Sequence, residues 1–143
     1  MLTSARNHFS GRILHIRRGM ANDEIQLALA GGERIVTLIT SERSLTMRLE
    51  TGRDAIALIR ASSVILTTDN PGGLKLSARN LLSGTIKDLH TDLVNTEVVI
   101  ALKGQDTLVA LVTTRAAKEL ELTVGKRVNA IFKATDVILG VAV

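Results

Sequence analysis

The chain contains no cysteine among its 143 residues, which excludes disulfides and thiolate-bound metals alike. It has no Trp and no Tyr, so its only aromatics are Phe9 and Phe132. Proteins that grip single-stranded nucleic acid stack bases on aromatic platforms, and this chain has almost none. Proline occurs once, at Pro71, within Thr68-Asp69-Asn70-Pro71-Gly72-Gly73, the one dense cluster of turn-forming residues. No apolar run approaches the roughly 20 residues of a membrane span. Arg6, His8 and Arg12 interrupt the N-terminus before a signal-peptide core can form. These features predict a cytoplasmic protein with no membrane partner. Charge of neither sign is concentrated: 18 Lys and Arg stand against 14 Asp and Glu, a net +4. That excess permits anionic partners without calling for nucleic acid.

What the chain does have is itself, twice. Ser4-Ala5-Arg6-Asn7 returns letter for letter as Ser77-Ala78-Arg79-Asn80, an offset of 73 residues, and the rest follows in register. Gly11 falls on Gly84, Asn22 on Asn95, Glu24 on Glu97, Thr40 on Thr113 and Val64-Ile65-Leu66 on Val137-Ile138-Leu139. Roughly a third of the paired positions are identical. Solenoids repeat every 20–50 residues or so and need at least about three copies, so this is a tandem duplication of a small domain. The expected organisation is one domain over residues 1–69, a linker at 70–73 and a second domain over 74–143. Units this small bury thin cores, and without disulfides the remaining support is association between subunits.

Within each copy the apolar period is mostly two, as in Ile25, Leu27 and Leu29 against Val98, Ile100 and Leu102. Strands are expected near 11–16, 25–29, 35–39, 55–59 and 64–66, and at the matching positions of the second copy. One segment breaks the alternation. Residues 115–122 are strong helix formers behind Thr113-Thr114, and residues 41–49 are their poorer equivalent behind Thr40. Three strands, a short helix and two strands predict an all-β chain of two tandem five-stranded barrels, each with one short helix. The order fits an OB-type barrel and competes with an SH3-like one.

An enzymatic set does not assemble. His8, His15 and His90 align with Leu81, Asp88 and Arg17, so no histidine recurs, and no pair has metal-ligand spacing. Phosphate loops of the Walker or dinucleotide type are missing as well. What recurs is a set of donors. Ser4, Arg6 and Asn7, with Ser77, Arg79 and Asn80, bring hydroxyl, guanidinium and amide to a strand start. Arg60-Ala61-Ser62 and Lys133-Ala134-Thr135 put a cation and a hydroxyl at a strand end. Thr40-Ser41 and Thr113-Thr114 sit where unpaired helix amides favour an anion. These three places share no carboxylate, an inventory suited to a fully ionised oxyanion. Glu24 and Glu97, with Asn22 and Asn95, read as turn and strand-start residues.

Ser-Ala-Arg-Asn followed by Gly, then Val-Asn-x-Glu, then Lys-Ala-Ser/Thr-x-Val-Ile-Leu, resembles the Mop domain, a molybdopterin-binding-type OB fold. Two in tandem resemble the di-Mop molbindins, over essentially residues 3–143. The resemblance implies OB-like barrels in a homotrimer, with molybdate or tungstate held between subunits and no organic cofactor. It implies storage and homeostasis of molybdenum, with molybdenum bound as the oxyanion and not as a cation. The oxyanion contacts it implies are Ser4, Arg6, Asn7, Arg60, Ala61 and Ser62, and Ser77, Arg79, Asn80, Lys133, Ala134 and Thr135. To these it adds Thr40 and Thr113, with Ser41 and Thr114. Three departures stand out. Arg60 replaces the usual Lys, the loops before Asn22 and Asn95 differ from the family pattern, and Asp136 follows Thr135. The alternative is a molybdate-sensing module acting on a transcription or transport partner. No segment reads as a helix-turn-helix, and the start at Met1 directly before the first motif predicts a free-standing protein.

Overall fold

The computed structural model describes residues 2–68 and 75–143, so the linker expected at 70–73 lies outside the described residues. The first repeat forms β1 (Asn7–Arg17), β2 (Asn22–Leu29), β3 (Arg34–Thr40), α1 (Ser41–Thr46), β4 (Asp54–Ile59) and β5 (Ile65–Thr67). The second forms β6 (Asn80–Thr91), β7 (Asn95–Ala101), β8 (Thr107–Thr113), α2 (Thr114–Glu119), β9 (Arg127–Phe132) and β10 (Val137–Gly140). A single 3-10 turn precedes each last strand, at Ala61–Ser63 and Ala134–Asp136. The chain is all-β, in two sheets of five strands.

Both first strands begin earlier than apolar alternation suggests, because the Asn that closes each Ser-Ala-Arg-Asn motif already pairs across the sheet. Asn7 lies opposite Ile59, and Asn80 opposite Phe132. Both helices end earlier than expected. Arg48 and Glu121 each turn to φ 54°, the left-handed conformation that commonly ends a helix.

The two sheets exchange their edges. One runs β10-β4-β1-β2-β3 and the other β5-β9-β6-β7-β8. Each fifth strand therefore belongs to the opposite repeat. The 3-10 turn after β4 bends the chain without reversing it: Ser63 N donates to Arg60 O at 3.0 Å and Val64 N to Ala61 O at 3.3 Å. β5 consequently runs on to pair with β9, while β10 returns to β4 and also lies against β3.

Buried side chains of both repeats form one continuous core, with Phe9 and Phe132 each 1% exposed. Polar bonds lock the halves together. Asn7 Nδ2 donates to Val109 O at 2.8 Å while Val109 N donates to Asn7 Oδ1 at 2.7 Å. Asn80 repeats the arrangement with Val36, at 2.8 and 2.7 Å. A buried amide that imitates a strand in this way satisfies two backbone groups at once.

Candidate oxyanion site

Register decides which candidates meet. Since Asn7 pairs with Ile59, Arg6 and Arg60 lie just beyond the same paired end of β1 and β4. Since Asn80 pairs with Phe132, Arg79 and Lys133 do the same in the second sheet. Each repeat thus brings its Ser-Ala-Arg-Asn segment beside its own Arg60-Ala61-Ser62 or Lys133-Ala134-Thr135 turn. Ser4, Ser77, Arg60, Ser62, Lys133 and Thr135 are exposed there, and Ala61 is buried beneath. Arg60 leans on Ser62 Oγ at 3.4 Å. The Lys133 ammonium has no hydrogen bond or ion pair among the described residues. Asp136 is exposed, its N–H bonded to Lys133 O at 2.9 Å.

The opposite repeat closes one flank of each cluster. The turn 134–136 packs along β3, and the turn 61–63 along β8. Arg6 reaches Glu97 through two bonds, Nη1 to Oε2 at 2.6 Å and Nη2 to Oε1 at 3.0 Å. Arg79 Nη1 reaches Glu24 Oε2 at 2.8 Å. Glu97 pushes the Arg6 guanidinium further above its ordinary value, first by the hydrogen bond and then by charge. A carboxylate shared by both copies therefore does stand at these clusters, contrary to the donor-only inventory read from the sequence. Its recurrence at the 73-residue offset was visible, but its partner in the other repeat was not.

The helix starts are placed differently. Thr40 and Thr113 cap α1 and α2, accepting from Arg43 N at 3.2 Å and Ala116 N at 3.1 Å. Each hydroxyl proton remains able to donate outward. Thr40 lines a cleft of about 810 Å³ between α1 and residues 137–143, which Arg43, Arg48 and Arg53 also line. Neither Ser-Ala-Arg-Asn segment borders that cleft. Ser41 and Thr114 serve the fold. Ser41 Oγ bonds Asp23 Oδ1 at 2.8 Å, and Thr114 Oγ1 donates to Asp92 O at 2.8 Å. Asn7 and Asn80 are likewise committed to the opposite strands.

Asp23 has no acidic counterpart in the second repeat, where Thr96 stands at the matching position, so the 73-residue repeat does not mark it. It is 1% exposed and accepts from Gly19 N, Ser41 Oγ and Arg18 Nη1. Burial pushes its carboxyl up, but the Gly19 N–H, the Ser41 and Ser44 hydroxyls and Arg18 together outweigh burial and hold it below its ordinary value. The second repeat fills this place with Thr96 and Thr114, whose hydroxyl oxygens are 3.0 Å apart. Among the described residues, no group of three His, Cys, Asp or Glu side chains stands together as metal ligands, and no helix is long and apolar enough to cross a membrane.

Residues 3–66 and 76–139 each match the TOBE domain. The chain belongs to the TOBE-domain family. Its two TOBE domains superpose on the cytoplasmic molybdate-binding protein ModG, solved with molybdate bound, with a TM-score of 0.95 and 39% identity. That likeness covers 99% of this chain and 100% of the other. The molybdenum transport protein ModE of Herbaspirillum seropedicae is 38% identical over 141 residues, 99% of this chain and 52% of that protein. The molybdenum-pterin-binding protein MopA of Rhodobacter capsulatus is 34% identical over 139 residues, 97% of this chain and 52% of that protein. The TOBE pair thus spans about half the length of these curated relatives.

Proposed function

We propose that this chain binds molybdate or tungstate as the intact oxyanion, in the cytoplasm and without catalysis, for molybdenum storage and homeostasis. The observation that carries this reading is the full-length likeness to molybdate-bound ModG, together with the paired clusters of hydroxyls and cations in both repeats. A tetrahedral dianion accepts hydrogen bonds at every oxygen; Arg79 and Lys133 can only donate, and the Ser77 and Thr135 hydroxyls can each donate one. Ser4, Arg6, Arg60 and Ser62 offer the same in the first repeat. Thr40 and Thr113 enter from neighbouring subunits in this proposal, and Asn7, Asn80, Ser41 and Thr114 hold the framework.

A homotrimer with anions between subunits completes the reading. Ile65 and Leu81 flank Ile131 on three adjacent strands, and Ile65 is 65% exposed and Leu81 43% exposed. Ile138 repeats the exposure on the other sheet, at 61%. Apolar strand faces of this kind suit burial against another copy.

The test is calorimetric titration with molybdate in the presence of excess sulfate and phosphate, with sedimentation to give the assembly. Selective binding by a trimer is the expected result. No heat and no metal retained after dialysis sinks the reading. The likeness to the molybdenum transport protein ModE favours a second possibility, a molybdate-sensing module that acts on a transcription or transport partner. Molybdate-dependent capture of such a partner would distinguish it from storage.

A further inference from the structure

Glu24 and Glu97 each cross to the other repeat and meet the arginine of its Ser-Ala-Arg-Asn segment. The arrangement arises twice in one chain, once through two bonds, at 2.6 and 3.0 Å, and once through one, at 2.8 Å. The arginine side chains are 54% and 52% exposed and the glutamates 25% and 27%, so each arginine meets a carboxylate while about half of its side chain stays open to solvent. A guanidinium carries five N–H donors in a fixed plane. Glu97 takes two from Arg6, and Glu24 takes one from Arg79, so three or four remain for a ligand. An arginine held in one plane loses less freedom on capturing an anion than a free one does.

We propose that Glu24 and Glu97 are positioning residues for oxyanion capture, each orienting the arginine of the opposite repeat, so that neither site is complete within its own repeat. This rests on the reading of Arg6 and Arg79 as oxyanion donors. Half-exposed pairs add little to stability, so their removal leaves a folded protein in which binding can be measured.

The experiment is calorimetric titration of the full chain with molybdate at one neutral pH. Glu97→Ala, Glu97→Gln and Glu24→Ala are compared with wild type, and Glu97→Ala is repeated on Arg6→Ala and Arg79→Ala backgrounds. Glu97→Ala is expected to weaken binding about two- to fivefold, and Glu24→Ala less, having one bond to lose. Glu97→Gln keeps a carbonyl oxygen for Arg6 and recovers most of the affinity. Once Arg6 is alanine, Glu97→Ala has no further effect, yet it keeps its full effect when Arg79 is alanine. Unchanged or tighter binding by Glu97→Ala, equal losses on both backgrounds, or a drop in Tm that tracks the lost affinity each overturn the proposal. A wild-type chain that takes up no molybdate overturns the oxyanion reading as well. Binding by wild type with indifferent variants overturns the positioning role alone.

Discussion

Arg79 and Lys133 lie just past the paired ends of neighbouring strands, exposed and outside the core. Arg79→Ala or Lys133→Ala is therefore expected to weaken molybdate binding about tenfold or more, the scale of a hydrogen bond to a charged group, with the thermal midpoint nearly unchanged. A lowered thermal midpoint in either variant, with molybdate affinity unchanged, would make that side chain structural. Ser4→Ala should cost less than Arg6→Ala, since charge-assisted bonds are about twice as strong as neutral ones. Asp23 behaves oppositely, because its bonds serve the fold. Its folded-state pKa lies below its unfolded one, so its contribution is present above about pH 4 and disappears as the pH falls through the folded value. Asp23→Ala should lose about 1–3 kcal/mol at neutral pH, and urea titrations at a series of pH values should show the gap to wild type closing in acid.

At the scale of elements, the hairpin β2–β3 meets the hairpin β7–β8 at Gly31 and Gly104, which are equivalent residues of the two repeats. A Cβ on Gly104 would lie 2.3 Å from Gly31 Cα, and one on Gly31 would lie 2.7 Å from Lys103 O. Gly104 also holds φ +72°, where side chains are strained. Gly104→Ala is expected to destabilise by about 1–3 kcal/mol, and Gly31→Ala also to destabilise, both read from denaturant midpoints. The element order was legible in the sequence: period-two runs gave the strands, and Thr40 and Thr113 marked the helix starts. The hairpin contact was not. A glycine in a turn reads as turn chemistry, and nothing local says that another backbone presses against it.

At the scale of the molecule, exchange of β5 and β10 ties the repeats into one folding unit with one core. The whole chain is expected to unfold in a single cooperative transition. A chain of residues 75–143 alone lacks the strand that completes its sheet, and residues 2–68 lack β10. Each is expected to stay unfolded as a monomer or to fold only by pairing with a second copy. Circular dichroism with sedimentation checks this, and a stable folded monomer of either half would contradict it.

Composition and period alone determined the class of this protein: no cysteine, two aromatics and a 73-residue repeat of donors leave a duplicated small β domain suited to anions. Residue types carry that information because they fix which bonds a segment can make. The pairing of those segments depended on the tertiary structure. Arg6 finds Glu97, Asn7 finds Val109 and Ile65 finds Ile131 only because a four-residue bend after Arg60 carries the chain across to the other sheet. Repeats this similar offer each strand two nearly equal partners, and geometry at the bend, rather than pattern in the strand, chooses between them.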